Sequence, residues 1–198
     1  MPTPSASYHH GDLPATLLRA AIELLEADGA AGLSLRAVAR HAGVSTAAPY
    51  RHYADREALL SAVAAVGYRE LAAQLLAAHP SPTTPDDLAT IAIAYIRFAL
   101  DRPALFRVMF AEPCNPADPD RVAATEAISA YVKMIVQQSF PTVDPDNLAT
   151  AVWALVHGLA FLHMDGKLDN SSPELVATQT RAAIHALIAA AATVREPR

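Results

Sequence analysis

Cysteine and glycine are scarce in this chain of 198 residues, and their scarcity excludes several kinds of chemistry. The one cysteine, Cys114, has no second thiol for an intramolecular disulfide, so we expect a reducing cytoplasm and interpret Cys114 as an ordinary loop residue. The 7 glycines form no phosphate-cradling loop, and neither a Gly-x-Ser-x-Gly elbow nor a His-Glu-x-x-His pair occurs. We therefore expect no catalytic residue, no metal site and no cofactor. A small all-α enzyme that uses the 8 histidines is a remote alternative.

Membrane and strand signals are also lacking. The sequence shows no basic leader and, by our interpretation, no apolar run long enough to cross a bilayer, so we expect no membrane association. No alternating apolar and polar pattern persists, whereas prolines divide the body into stretches with helical spacing. Hydrophobic residues make up 53% of the chain, which is ample for a core. The predicted fold class is all-α.

Helix start and stop signals divide the chain into three parts. Residues 1–11 predict a flexible arm, residues 12–60 a three-helix head, and residues 61–198 a helical body. The head begins with a predicted helix at 12–29. The helices predicted after the head's two short ones are 55–79, which joins head and body, 86–101, 103–110, 119–140, 145–167 and 173–195.

Residues 34–60 carry the most informative pattern, two short helices around a tight turn followed by a capped third helix. Ser34 is a favourable N-cap for the first short helix, and Gly43 supplies the left-handed residue that ends it. Val44 fills the corner, and Ser45 is a favourable N-cap for a second short helix through residue 50. This arrangement is typical of a helix-turn-helix, so we predict that the second helix enters the major groove of DNA.

The same segment is basic, although the whole chain has a net charge of −5. Between Ser34 and Arg56, one acidic residue, Asp55, occurs beside six basic or titratable side chains: Arg36, Arg40, His41, Arg51, His52 and Arg56. A local positive stripe on an acidic chain favours contact with phosphates. The second helix begins with Thr46, Ala47 and Ala48, whose small side chains allow the backbone to approach base edges and the thymine methyl group. The predicted partner is double-stranded DNA.

This pattern resembles the N-terminal signature of the TetR/AcrR transcriptional regulators. The matching stretches are Ser34, Val38-Ala39, Ala42-Gly43-Val44-Ser45, Tyr50-Arg51-His52-Tyr53 and Asp55-Arg56-Glu57-Ala58-Leu59-Leu60. The resemblance implies two sets of DNA contacts. Ser34, Tyr50, His52 and Arg56 would hold phosphates, while Arg36, Thr46, Ala47 and Ala48 would face bases, with Ser45 on the same surface.

Two residues depart from that signature. Arg56 replaces the more frequent lysine, and Pro49 stands where an aliphatic residue is usual. Proline in a first turn is tolerated but removes a backbone donor, which leaves the tilt of the second helix open. The arm at 1–11 either touches a minor groove or is disordered; because it holds no arginine or lysine, we favour disorder.

The helix predicted at 145–167 is apolar on two sides, which bears on the oligomeric state. One stripe contains Leu148, Val152, Leu155, Leu159 and Leu162, and the other contains Trp153, His157, Ala160, Phe161 and Met164. These stripes are either all core within one chain or partly an interface with a second copy. We favour a homodimer, because two-fold pairing places two heads on successive major grooves of a palindromic operator. The interface candidates are Leu155, Leu159, Leu162, Ile184, Leu187 and Ile188.

Ligand response is implied by the resemblance, because TetR-type regulators enclose a small effector in the body. The stretch LFRVMF and the pattern Trp153-x-x-x-His157-Gly158 look like features of one C-terminal subgroup. The pocket candidates are Tyr95, Phe98, Phe106, Met109, Phe110, Tyr131, Met134, Trp153, His157 and Phe161. Such a pocket suits an apolar or aromatic effector of a repressor. Alternatively, these residues are ordinary core, with His157 a hydrogen-bonded core histidine, and the body only dimerises or recruits a protein partner.

Overall fold

The computed structural model describes residues 13–111, 118–140 and 144–193, and the regular elements in these ranges are all helical. In chain order they are α1 (Leu13–Gly32), α2 (Leu35–His41), a 3₁₀ helix (Pro49–Arg51), α3 (Arg56–Ala78), α4 (Pro85–Asp101), α5 (Pro103–Ala111), α6 (Pro119–Ser139), α7 (Pro145–Met164) and α8 (Pro173–Thr193). The prediction of an all-α fold is confirmed. The predicted arm at 1–11 and Cys114 lie outside the described residues.

Local capping signals set the ends of the first two helices. α1 breaks at Gly29, whose φ of 73° falls where the sequence predicted the helix end, and one further turn carries the chain to Gly32. The Ser34 hydroxyl accepts a hydrogen bond from Ala37 N at 3.1 Å and so begins α2. After α2, Gly43 has a φ of 67°, which costs a residue with a Cβ about 1–2 kcal/mol. The predicted cap and turn are confirmed.

The prediction of a second short helix that begins at Ser45 is wrong. Residues 46–48 form a turn, and only Pro49–Arg51 is helical, as a 3₁₀ helix preceded by Ala48 without a side-chain cap. The hydrogen bonds have the 3₁₀ spacing, since Ala48 N donates to Ser45 O at 2.9 Å and His52 N donates to Pro49 O at 2.9 Å. Pro49 has no N–H to donate to Ser45, so an α-helical turn cannot start there and Ser45 is not an N-cap.

α3 is the long element shared by head and body. Asp55 Oδ1 accepts a hydrogen bond from Ala58 N at 2.8 Å, and the helix then runs for 23 residues. It is buried on several sides and packs against α1 in the head and against α4, α5 and α6 in the body. Arg102, just after α4, pairs with Glu26 on α1 and, at 2.8 Å, with Glu70 on α3. The head is therefore held to the body by packing and by a shared arginine.

α4 lies at the centre of the body, where residues 91–96 are all buried. It packs against α3, α5, α7 and α8, and a capping box between Thr84 and Asp87 begins it. α7 turns one stripe inward, namely Leu148, Val152, Val156, Ala160 and His163. This stripe combines members of both predicted stripes with two further residues. The inner face of α7 is decided by its neighbours α4, α6 and α8, not by its own apolar content.

Two helices, α3 and α7, reach the length and mean hydropathy of a membrane-spanning segment, with values of 1.2 and 1.3. The expectation that no apolar run is long enough was therefore wrong on composition. Core helices of soluble proteins share these properties, and both helices pack against neighbouring helices of the fold.

Candidate DNA-binding surface and body cavity

The predicted DNA contacts lie on the surface of the head. Ser34, Arg36, Ser45, Thr46, Ala47, Tyr50, His52 and Arg56 are exposed, and Ala48 is half-buried. Tyr50 is 52% exposed, which is unusual for a large aromatic side chain in a small helical unit. We call this set the head surface.

Buried residues hold the head surface outward. Pro49 and Tyr53 are buried on either side of Tyr50, and burial raises the pKa of the Tyr53 hydroxyl above its usual value. Val44 packs against the core and donates from its backbone N to Ala39 O at 3.0 Å. Because Pro49 and Tyr53 face inward, the side chains of Thr46, Ala47 and Tyr50 face solvent.

Arg56 has a structural function that the sequence did not predict. Its Nε donates to Leu33 O at 3.0 Å and its Nη2 donates to Ala30 O at 2.6 Å. These carbonyls follow the break in α1, so the guanidinium ties the start of α3 to the end of α1. A guanidinium carries five N–H donors, so a phosphate contact by Arg56 remains a prediction.

The body contains a cavity of about 350 Å³ between α3, α5, α6 and α7, which we call the main cavity. A more open groove of about 400 Å³ lies between the start of α4 and α8. Two predicted pocket residues, Phe110 and Trp153, line the main cavity. The others around it were not predicted: Tyr68, Thr125, Ile128, Ser129, Val132, Lys133, Asp146, Ala149 and Thr150. Polar residues of a helix are usually assigned to solvent, and nothing local marks which of them border a cavity.

A smaller cavity of about 40 Å³ beside the main cavity is lined by Tyr95 and by nine other residues, among them Val132 and Trp153. Val132 and Trp153 also line the main cavity and so separate the two. Trp153 is the single tryptophan of the chain and is 48% exposed. Its ring is therefore a natural reporter for both cavities.

Neither cavity is lined by seven of the predicted pocket residues, which are Phe98, Phe106, Met109, Tyr131, Met134, His157 and Phe161. Phe98, Phe106 and Met109 are buried in the core, and Met134 is partly exposed on α6. For Tyr131, the hydroxyl donates to Leu75 O at 3.4 Å and His79 O at 3.3 Å, which ties α6 to the end of α3. Aromatic and sulfur-bearing residues fill space in any helical core, so residue type alone did not separate core from cavity.

His157 joins an aromatic cluster beside the cavities. Its Nδ1 lies 3.0 Å from the Tyr95 hydroxyl, and its ring centroid lies 4.5 Å from that of Phe110 and 4.9 Å from that of Phe161. Burial lowers the pKa of His157 and raises that of Tyr95, so both groups are neutral near pH 7. The interpretation of His157 as a hydrogen-bonded histidine is supported, and neither His157 nor Phe161 borders a described cavity.

One dimer candidate is wrong. Ile184 is completely buried within a single chain, so it cannot contact a second copy. The others remain available, since Leu162 is 43% exposed and Leu155, Leu159, Leu187 and Ile188 are half-buried. Within the described ranges, no group of three or more histidine, cysteine or acidic residues could hold a metal ion.

Comparisons with known proteins agree with this geometry. The family model described as bacterial regulatory proteins, tetR family, matches residues 17–63, and the model described as tetracyclin repressor-like, C-terminal domain, matches residues 88–192. The first model covers the head with its helix-turn-helix and the second covers the helical body, and both describe bacterial regulators. The chain belongs to the TetR family of bacterial regulators.

Individual relatives are similar in sequence or in fold. The HTH-type transcriptional regulator Mb1846 of Mycobacterium bovis is 35% identical over 114 residues, which are 54% of this chain and 49% of that protein. The chain thus spans about half the length of the curated relatives it matches. A structure of a protein of unknown function from Rhodococcus sp. RHA1 is 35% identical with a TM-score of 0.78, over 91% of this chain and 97% of that one.

A more distant structure shows the fold alone. The fatty acid degradation regulator FadR from Bacillus halodurans is 12% identical with a TM-score of 0.69, over 91% of this chain and 96% of that one. The matched families and the curated relative Mb1846 are transcriptional regulators, which contradicts the enzyme alternative.

Proposed function

We propose that this regulator is a ligand-responsive repressor that binds a palindromic operator as a cytoplasmic homodimer. The observation that carries the proposal is the head surface: Thr46, Ala47 and Tyr50 are exposed, while Pro49 and Tyr53 beside them are buried. We assign residues 1–11 to the arm, 12–60 to the DNA-binding unit and 61–198 to the ligand-binding and dimerisation unit. The pattern Trp153-x-x-x-His157-Gly158 places it in one C-terminal subgroup in this proposal.

On this proposal, the head surface divides its contacts between bases and phosphates. Thr46, Ala47 and Ala48 meet base edges together with Arg36, because small side chains allow close approach to the groove floor. Ser34, Tyr50, His52 and Arg56 meet phosphates, which position the head without reading sequence, and Ser45 lies on the same surface. The 3₁₀ geometry shortens the inserted segment, so few bases are read directly by each head.

Tyr50→Phe tests the phosphate contact. Removing one exposed hydroxyl leaves the core intact, and we expect it to weaken binding to every DNA sequence by about fivefold, the net value of one hydrogen bond. Thr46→Val, which removes a hydroxyl with little change of shape, should instead change the preferred bases. Fluorescence anisotropy with DNA fragments selected by the purified protein measures both. Wild-type affinity in Tyr50→Phe, or a uniform loss in Thr46→Val, would contradict the assignment.

The main cavity is the proposed effector site. An effector that favours a head spacing unable to span two grooves would release the operator, with a coupling of about 1–3 kcal/mol. A screen of apolar and aromatic small molecules that records thermal shift and operator release together tests this. If compounds that stabilise the protein never release DNA, the body serves only to dimerise or to recruit a protein partner.

A further inference from the structure

The walls of the main cavity are mostly apolar, with its polar groups in two short rows. Tyr68 and Phe110 meet edge to face, with ring centroids 5.4 Å apart, and Ile128, Val132 and Ala149 line the sides. One polar row lies on α6, at Thr125, Ser129 and Lys133, and the other on α7, at Asp146 and Thr150. Each row follows the four-residue repeat of a helix, so its members share one face.

The two threonine hydroxyls of these rows have already given their hydrogens to the backbone. Thr125 Oγ1 donates to Arg121 O at 2.8 Å, and Thr150 Oγ1 donates to Asp146 O at 2.8 Å. A hydroxyl has one hydrogen and two acceptor lone pairs. Both threonines therefore offer a ligand an acceptor oxygen, and neither offers a donor without breaking its bond to the helix. The Tyr68 hydroxyl likewise donates to Met109 O at 2.6 Å.

The charges at the cavity are already matched. Lys133 Nζ lies 2.6 Å from Asp146 Oδ1, which joins α6 to α7. An anionic ligand that captured Lys133 would leave the Asp146 carboxylate beside it without its partner, and a cationic ligand would do the same to Lys133. The matched pair leaves no net charge to attract an ionic ligand, and because its side chains are 50% and 69% exposed, the resulting preference for an uncharged ligand is small.

We propose, on the basis of the effector role above, that the main cavity binds an uncharged, mainly hydrocarbon ligand that carries a hydrogen-bond donor. The donor is a hydroxyl or N–H group, accepted by the Thr125 and Thr150 oxygens, and the ring or chain of the ligand lies against Phe110, Ile128 and Trp153. A carboxylate presents only acceptors near neutral pH, so it can accept from Ser129 or Lys133 but leaves the oxygens of Thr125 and Thr150 without a ligand donor.

Three probes of matched shape test the ligand class: menthol, menthyl methyl ether and menthane carboxylate. They share a ring and differ in having a donor, no donor, or a negative charge. Because Trp153 is the single tryptophan and lines the cavity, its fluorescence reports their binding in the full chain. We expect menthol to bind about fivefold more tightly than the ether, and the carboxylate to bind most weakly.

Variants then locate the preference. Thr150→Val and Thr125→Val should each bring menthol closer to the ether while leaving the affinity for the ether unchanged. Thr178→Val is the matched control, because Thr178 makes the same bond, to Glu174 O at 2.8 Å, on α8 away from the cavity. It should leave the menthol preference unchanged.

Three results would overturn the inference. They are equal affinity for menthol and its ether in the wild-type protein, tightest binding of the carboxylate, and no fluorescence response to any probe. Operator binding is measured separately with the selected DNA. If menthol binds as expected but never releases DNA, the ligand class stands and the proposed effector function fails.

Discussion

At the scale of single residues, Pro49 and Arg56 determine the backbone path of the head. Pro49 has no backbone N–H, and this missing donor converts the expected helix into a 3₁₀ turn. Arg56 donates hydrogen bonds from its guanidinium to the carbonyls of Ala30 and Leu33. Both residues therefore help to fix the backbone that carries the head surface.

Comparing Arg56→Lys with Arg56→Ala separates the two functions of Arg56. Lysine keeps the charge but lacks the planar fork, so we expect it to lower the free energy of unfolding by about 1 kcal/mol while the salt dependence of DNA binding stays as in the wild type. Alanine should lose stability to a similar or larger extent and also flatten the salt dependence. Urea unfolding and salt titrations measure the two effects. An unchanged salt slope in Arg56→Ala would leave Arg56 with its structural function alone.

At the scale of helices, α3 and α5 pack closely at Gly67. A Cβ added at Gly67 would lie 2.6 Å from Met109 Sδ and 3.1 Å from Leu105 Cδ1. Both neighbours are completely buried, so neither can move into solvent. Glycine therefore lets α5 lie close to the helix that begins at the head, beside the main cavity.

Gly67→Ala should force α3 and α5 apart. We expect a loss of about 1–3 kcal/mol in the free energy of unfolding, the usual cost of overpacking a core. The matched partner is Met109→Ala, which makes room for the added methyl group at its own cost. In a double-mutant cycle by urea unfolding, the double variant should lose less unfolding free energy than the sum of the two single losses. Simple additivity would show that the two side chains do not compete for space.

At the scale of the whole molecule, α7 and α8 leave apolar surface on the side away from the core. Leu162 is 43% exposed there. Leu162→Glu should shift the protein to monomer at micromolar concentration, because a buried unpaired carboxylate at an interface is costly. Leu76→Glu is the control, since Leu76 on α3 is 48% exposed and lies on neither α7 nor α8. Sedimentation of both variants measures their oligomeric state. If Leu162→Glu remains a dimer, Leu162 does not lie in the interface.

The stability of the whole fold should depend on pH through the buried His163 and the half-buried His157. Burial lowers the pKa of His163, against a smaller opposing effect of Asp169, and burial also lowers the pKa of His157. Their unfolded forms take up protons near pH 6.5, where the folded forms still resist, so stability is full above that pH and falls below it.

His163→Leu isolates one part of this pH dependence. We expect the fall in unfolding free energy from about pH 7 to about pH 5 to become shallower, because one group that resists protonation is gone. His185→Gln changes an exposed histidine that pairs with Asp86 and serves as the control. A pH profile for His163→Leu that matches the wild type would remove His163 from this account.

The sequence by itself determined the all-α class, the helix-turn-helix signature, and the helix boundaries to within a few residues except for the second short helix of the head. The reason is that local backbone chemistry sets the ends of helices and does not depend on distant residues. Examples are the cap Ser34, the turn residue Gly43 and the prolines. Only the tertiary structure decided which face of α7 turns inward, that Ile184 is core, and that Thr125 and Thr150 border a cavity while Phe106 does not. The rotation of a helix depends on the shapes packed against it, and that information is distributed over residues far apart in the chain.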